Sequence, residues 1–323
     1  MVWEDNMNLY NLRKINPILY YKLKTMYRRF YLKQFRKKNI VELQEYDAEL
    51  YKSRVGKKLD WNHLNTYTEK MQWEKMFNSD PRKIICSDKY LVREWVKEKI
   101  GEEYLIPNIG VWDRASEIDF ADLPQQFVLK TNCGSGDIIL VRDKRKLSPR
   151  QIREYKAKLD YYLHFDFGCA QCELHYSHIQ PKIIAEKLLE YDGGWDLPDY
   201  KFLCFDGEVK YCWVDLGRYH KHRRNVYDLN WNLQDWNQKD YGNYPKPIDK
   251  PDNFDEMVNI AKTLSVGFAH VRVDLYNLDG KIYFGEMTFT NGSGFERIYP
   301  DEADLMLGNL WKIGCYFSFC IKV

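Results

Sequence analysis

A mixed α+β fold of several lobes is what this sequence predicts, and three observations carry the prediction. Hydrophobic residues fill 45% of 323 positions, enough for a large core and too many for a disordered chain. Short apolar runs bounded by turn residues mix with helical patterns, without the strict alternation of a doubly wound sheet. No internal repeat or low-complexity tract is present. Aromatic residues reach 16%, which leaves rings to line clefts as well as to fill the core.

The N-terminal arm stands apart. Residues 11–40 hold ten Lys and Arg and no acid, so the net charge of +2 divides into +10 here, −2 in residues 1–10 and −6 in the body. Near-neutrality overall argues against a nucleic-acid-coating protein. Leu12, Ile15, Leu19, Leu23, Met26 and Phe30 recur at three- and four-residue steps, which predicts one apolar helical stripe among basic residues. Pro17 limits a clean helix to about residue 18 onward. Such a helix suits an anionic membrane surface or a polysaccharide-assembly partner, or it docks back on the acidic body; no motif supports nucleic acid. With no signal-peptide pattern and no stretch near the roughly 18–20 apolar residues that span a bilayer, the expected location is cytoplasmic, peripheral at the inner face of the membrane. Cys86, Cys133, Cys169, Cys172, Cys204, Cys212, Cys315 and Cys320 are scattered and expected as reduced thiols.

A polar stretch follows to about residue 80. Asp80-Pro81 then starts a helix with proline in its first position, and a second helical pattern covers residues 88–100 and stops at Gly101. Strands are expected at 127–130, 137–142, 183–190, 200–205 and 209–214, the last two joined at Asp206-Gly207. Helices are expected from Ser148-Pro149 to about Phe165, and from Phe254 to Ser265 with Asn253 as cap and Gly267 as terminator.

The last hairpin carries the most chemistry. Asn277-Leu278-Asp279-Gly280 suits a three-residue loop with a glycine bulge, so that Asn277 faces Lys281, Asp274 pairs with Phe284, and Glu286 with Arg272. Arg272, Asp274, Glu286 and Thr288 then share one face, and Val271, Val273, Leu275, Tyr283 and Met287 the core face. A two-residue loop would split the carboxylates. Two hard oxygen donors on adjacent strands suit Mg²⁺; the alternative is a solvated face with an Arg272–Glu286 pair. In FVLKTNCGSGD, residues 127–137, a strand ending in Lys130 runs into a glycine-rich loop able to close over phosphates, or else into a plain glycine-turn hairpin. IIAEKLLE, residues 183–190, offers an extended backbone that an adenine edge could use, as any buried edge strand would. Arg218, His220, His222, Arg223 and Arg224, with Tyr219, Tyr227 and Trp231, suit a face for an anionic, sugar-like acceptor; the alternative is a solvated basic loop. The Cys169, Cys172, His175 and His178 spacings, with His164 nearby, are tighter than those of zinc fingers and are expected to be incidental.

In their order these segments resemble the ATP-grasp superfamily, specifically the teichuronopeptide-biosynthesis (TupA-like) ATP-grasp family of surface-polysaccharide loci. The resemblance covers about residues 60–310. It rests on LNTYTEKMQWEK, SDKYLVREWVKEKIGEEYLIP, LPQQFVLKTNCGSG, IIAEKLLE, DYKFLCFDGEVKY and VRVDLYNLDGKIYFGEMTFTNGSGF. It implies an ATP-grasp fold, two α+β lobes sandwiching ATP: a small lobe at 126–190 and a large lobe at 191–323, after an N-terminal α/β lobe at 41–125 and the basic arm at 1–40. It also implies ATP with one or two Mg²⁺ ions. Lys89 and Lys130 would reach the phosphates, Gly134, Ser135 and Gly136 would cover them, Glu186, Lys187 and Leu188 would hold adenine, and Lys201 would add a phosphate or ribose contact. Asp274 and Glu286 would bind Mg²⁺, with Thr288 at the third metal position. Lys130 and Arg272, with Arg218 and Arg224 from the acceptor loop, are the candidate catalytic cations.

Two departures stand out: Thr288 replaces the usual Asn, although Asn291 lies close downstream, and Cys133 stands where His is common. The implied activity is a carboxylate–amine ligase, which phosphorylates a sugar or peptide carboxylate and lets an amine attack the acyl phosphate, in capsule or teichuronopeptide biosynthesis. The alternatives are a glycosyltransferase of the same pathway, for which no DxD triplet is present, and an inactive ATP-grasp-like binding protein.

Overall fold

The computed structural model describes residues 7–134, 136–191, 197–217, 221–238 and 241–314, with side chains from residue 11. The chain opens with α1 (Met7–Ile15) and α2 (Pro17–Phe35). Pro17 starts the second helix, where no N–H is needed, and Asn16 Oδ1 accepts from Leu19 N at 3.1 Å. Helix therefore lies on both sides of this step, whereas it was expected only from about residue 18.

The polar stretch conceals two helices, α3 (Ile40–Val55) and α4 (Tyr67–Phe77). Each is entered through a reciprocal capping box, Asn39 with Glu42 and Thr66 with Glu69, a signal readable from the sequence. Next come α5 (Pro81–Ser87) and α6 (Val92–Lys99). The second helix starts later than expected because Asp88 Oδ1 accepts from Tyr90 N at 2.8 Å and Leu91 N at 3.2 Å, which holds residues 88–91 in a turn.

The remainder is β1 (Asn108–Trp112), β2 (Phe127–Thr131), β3 (Ile139–Val141), α7 (Pro149–Leu163), α8 (Phe167–Gln171), β4 (Ile183–Glu186), β5 (Asp199–Phe205), β6 (Glu208–Leu216), β7 (Arg223–Tyr227), β8 (Asn237–Gln238), α9 (Phe254–Ser265), β9 (His270–Leu278), β10 (Lys281–Thr288), β11 (Ile298–Tyr299) and α10 (Asp301–Asn309). Two antiparallel sheets organise these elements, in the orders β1-β4-β2-β3 and β10-β9-β5-β6-β7. Strand alternation sorts their side chains. In the smaller sheet Phe127, Leu129, Ile139 and Ile183 pack with Leu159 of α7, which leaves Val128, Lys130 and Leu140 for the other face. In the larger sheet Phe202, Val214, Val271 and Val273 pack with α9 and with Val92 and Val96 of α6. Its opposite face carries Leu203, Phe205 and Trp213 against Tyr67 and Met71 of α4 and Leu307 of α10.

Residues 41–125, expected as an N-terminal lobe, contribute elements to both sheets. Helices α4 and α6 complete the two cores of the larger sheet, while β1 pairs with β4 in the smaller one. Fully buried ion pairs, Lys75 Nζ to Asp47 Oδ1 at 2.6 Å and Lys83 Nζ to Glu74 Oε1 at 2.8 Å, bind α3, α4 and α5 together beneath the larger sheet's helices.

The arm also departs from its expected orientation. Tyr21, Leu32 and Phe35 are buried, with Tyr21 against Tyr161 of α7 at 5.8 Å between ring centroids. The predicted stripe is the outer face: Ile15, Leu19, Leu23, Met26 and Phe30 are all exposed, Met26 by 68% and Phe30 by 65%.

Candidate active site

The hairpin β9–β10 reaches the expected face by a different route. Asp279 (φ +51°) and Gly280 (φ +85°) form a two-residue turn of the primed type, so Leu278 faces Lys281 and Leu275 faces Phe284. That register alone would separate the carboxylates. Gly285 then bulges as an extra residue, and beyond it Glu286 pairs with Asp274 and Thr288 with Arg272. A Cβ on Gly285 would lie 3.0 Å from the Asp274 carbonyl oxygen, which is why the bulge carries glycine. Arg272, Asp274, Glu286 and Thr288 thus share a face, but Glu286 faces Asp274 rather than Arg272. Before the bulge the parity is reversed from expectation: Ile282 and Phe284 enter the core, and Tyr283 faces away from it.

Asp274 is buried, and its oxygens accept from Arg272 Nε at 2.6 Å, Arg272 Nη2 at 2.7 Å and Lys201 Nζ at 2.5 Å. Lys201 also reaches Asp199 Oδ2 at 2.5 Å. Arg272 Nη2 lies 3.1 Å from both Glu286 Oε1 and Thr288 Oγ1. Burial would lower the pKa values of Lys201 and Arg272, but the adjacent carboxylates outweigh it and both are raised, so both cations persist. Glu286 is the carboxylate open to the cleft, its side chain 34% exposed. Asp199 was missed in the sequence; its signal is the i, i+2 spacing to Lys201, which puts both on one face of a strand.

From the other side of the cleft, Lys130 Nζ bonds Glu186 Oε2 at 2.5 Å, with Arg93 Nη1 3.8 Å from Glu186 Oε1. Arg93 was also missed, hidden among the charges of an ordinary helix surface. Lys89 Nζ donates to Gly134 O at 2.6 Å and stands 3.9 Å from Glu286 Oε2, linking the glycine-rich loop to the hairpin. A Cβ on Gly134 would meet the Phe167 ring at 2.6 Å, and Gly136 has φ +79°. Ser135 lies outside the described residues. Between the sheets is a cavity of about 170 Å³ lined by Val128, Lys130, Leu140, Glu186, Leu188 and Tyr276, among others. The expected strand at 183–190 ends at Glu186, because Lys187 N turns to Pro107 O at 3.0 Å. Lys187 therefore has its amide engaged, while the Leu188 amide and carbonyl have no hydrogen-bond partner among the described residues.

Within segment 217–232, residues 223–227 are not a solvated loop. Residues 223–227 form the edge strand β7, and Arg224 is buried on Asp215, Nε to Oδ1 at 2.5 Å and Nη2 to Oδ2 at 2.7 Å. Tyr227 and Trp231 stack on each other at 4.2 Å within the hydrophobic core, so they are not acceptor platforms. Arg218, Tyr219 and His220 lie outside the described residues. Asn291 does not supply the missing metal ligand: it is buried and accepts from Tyr67 OH at 2.7 Å. Burial pushes the Cys133 thiol up to about 12, so it stays protonated and does not replace a titrating histidine. The described cysteines are free and buried; Cys315 and Cys320 lie outside the described residues. Cys169 and Cys172 pack with Leu32 and Phe35, and among the described residues no three His, Cys, Asp or Glu side chains converge as a metal group.

Two antiparallel α+β halves closing on a cleft, with a glycine-rich loop and lysines on one side and carboxylates on the other, define the ATP-grasp class. The chain belongs to the TupA-like ATP-grasp family: the family model described as "TupA-like ATPgrasp" matches residues 69–312. Among solved structures it is similar to D-alanine–D-alanine ligase from Bacillus anthracis, at 17% identity over 64% of this chain and 57% of that chain, TM-score 0.36. It is similar also to D-alanine–D-alanine ligase from Helicobacter pylori, at 13% identity over 71% and 62%, TM-score 0.39. A third is the D-cycloserine synthetase DcsG, at 14% identity over 70% and 69%, TM-score 0.37. The chain spans about three fifths of the length of the first two, and at TM-scores this low the family match alone carries the assignment. No curated protein matches it.

Proposed function

We propose that the protein is an ADP-forming carboxylate–amine ligase of surface-polysaccharide biosynthesis. The observation that carries this reading is the convergence on one cleft of Lys89 and Lys130 from one side and of Arg272, Asp274 and Glu286 from the other, beside the cavity between the sheets. Adenine would occupy that cavity, with the Leu188 amide and carbonyl for its edge. Lys130, now on Glu186, and Lys89, now on Gly134 O, would turn to the phosphates. The hard oxygens of Asp274, Glu286 and Thr288 fit Mg²⁺, and Arg272 Nη2 already stands as a cation within hydrogen-bond distance of an oxygen of each. Bound there, Mg²⁺ would neutralise phosphate charge.

The chemistry asks positioning and charge neutralisation of the protein rather than a nucleophilic side chain. The substrate carboxylate attacks the γ-phosphorus and ADP leaves; an amine then attacks the acyl phosphate, releasing phosphate and a proton and leaving an amide. Arg272 would stabilise the charge that builds on the transferring group. Incubation with ATP, Mg²⁺, an amine and candidate uronic acids or peptidyl carboxylates should release ADP only when the acid is present. Nucleotide-sugar turnover without ATP consumption would replace this reading by a glycosyltransferase. Glu286→Gln is expected to reduce ADP release by about a hundredfold or more at unchanged thermal stability; an active variant removes Glu286 from the site.

The arm supports a peripheral place on an anionic membrane. Its outer stripe is exposed, Lys22, Arg29 and Lys33 are exposed alongside it, and no helix among the described residues is long and apolar enough to cross a membrane.

A further inference from the structure

We infer that the inner face of the arm forms a second ligand site, for an acidic saccharide. The site lies between α2, α3, α7 and α8, encloses about 480 Å³ and extends to Gly136 in the glycine-rich loop. Arg13, Lys24, Arg28, Arg54 and Lys158 line it, and no Asp or Glu does among the described residues. Arg13, Arg28, Arg54 and Lys158 have no carboxylate within ion-pair distance among those residues. The fully buried Lys75, Lys83 and Arg224 are matched by Asp47, Glu74 and Asp215, whereas here Arg28 and Lys158 are half-buried and Arg13 and Arg54 are exposed at the rim. Positive charge gathered around one space without a counter-charge repels itself and raises the local concentration of an anion. Arg28 shows the cost: its guanidinium lies 4.0 Å above the Phe165 ring, and its Nε is buried with no partner.

The rest of the lining says which anion. Seven tyrosines line the space, with the Tyr31 and Tyr46 hydroxyls 2.9 Å apart on its wall. Ring faces take the C–H faces of a pyranose, the rims hydrogen-bond sugar hydroxyls, and guanidinium groups bind a carboxylate in a fork. The volume is that of a small-ligand pocket, sufficient for one or two sugar rings. Tyr162 OH donates to Gly136 O at 3.4 Å, and Phe167, packed on Phe165 at 4.4 Å, lies under Gly134. An occupant therefore bears directly on the loop proposed to cover the phosphates. This assignment rests on the ligase reading, in which the acidic saccharide supplies the carboxylate or the chain that carries it.

The test is calorimetric titration of the full chain with tetragalacturonate, with neutral maltotetraose as control. Saturable binding of the acidic sugar alone is expected, weakened about tenfold or more in Arg28→Gln and in Arg13→Gln, the second at an exposed position where the melting temperature should not change. Absence of tetragalacturonate binding, equal binding of maltotetraose, or full affinity in both variants overturns the assignment. So does displacement of the sugar by a short oligothymidylate or by phosphatidylglycerol vesicles, which would make the site one for nucleic acid or lipid. Lys130→Met separates the two readings: it should weaken ATP binding and leave tetragalacturonate binding intact. Unchanged ATP affinity in that variant would sink the nucleotide site while the sugar titration stands.

Discussion

Asp215 and Arg224 form a buried fork between Trp213 and Tyr241, whose rings lie 4.4 and 4.3 Å from the guanidinium. Burial opposes ionisation of Asp215, but Arg224 outweighs it and holds the carboxyl well below the usual range. Asp215→Asn leaves a buried cation without its counter-charge, for an expected loss of about 3–5 kcal/mol. A depressed carboxylate pKa contributes stability that is complete above the unfolded value, near 4, and is lost as pH falls through the folded value. Urea unfolding should therefore show the full gap between wild type and Asp215→Asn at neutral pH and a narrowing gap below about pH 4; a pH-independent gap would mean that the ion pair is not its source. At this scale the places of Lys89, Lys130 and Asp274 at the cleft were readable because each sits in a recognisable local pattern. Arg224 was misread, since a basic run in the sequence does not reveal that Asp215 stands opposite it on the neighbouring strand.

The hairpin shows how an element can conceal its register. Its tip follows from local turn chemistry, yet the face on which Glu286 lies depends on Gly285, five residues beyond the turn. Gly285→Ala places a Cβ against the Asp274 carbonyl and should cost about 1–3 kcal/mol by forcing the strands apart, with ADP release falling in step. Gly280→Asn is expected to cost under about 1 kcal/mol, because it has open space around it and Asn tolerates a positive φ. Thermal melts of the two variants should rank in that order, and the reverse ranking would mean that the bulge is not set sterically. Helix α9 illustrates the same point: Asn253 stands at its N-terminus but donates instead to Gly280 O at 2.8 Å, tying the helix to the turn.

Across the whole molecule, charge is segregated. The arm places basic and apolar side chains outward on one helix and meets the body through rings, so one helix serves two surfaces. Met26→Glu with Phe30→Glu should reduce sedimentation with phosphatidylglycerol vesicles by about tenfold or more and leave the melting temperature unchanged, because neither side chain is buried. Undiminished vesicle binding would return the arm to a purely structural role. The packing of elements from 41–125 on both sheets also belongs to this scale. Capping boxes announce α3 and α4, but nothing local states that α4 and α6 finish the two cores of a sheet formed more than a hundred residues later.

Helix starts at Asp80-Pro81 and Ser148-Pro149, the strands at Phe127 and Ile183 and the glycine-rich loop follow from the amino-acid order alone, because caps, turns and strand alternation act between near neighbours. The buried face of the arm, the partner of Arg224, the strand membership of residues 108–112 and the parity beyond Gly285 arise only in the folded chain. Each of these depends on which distant surface offers the better burial or the matching charge, a competition settled by packing and not by the residues on either side.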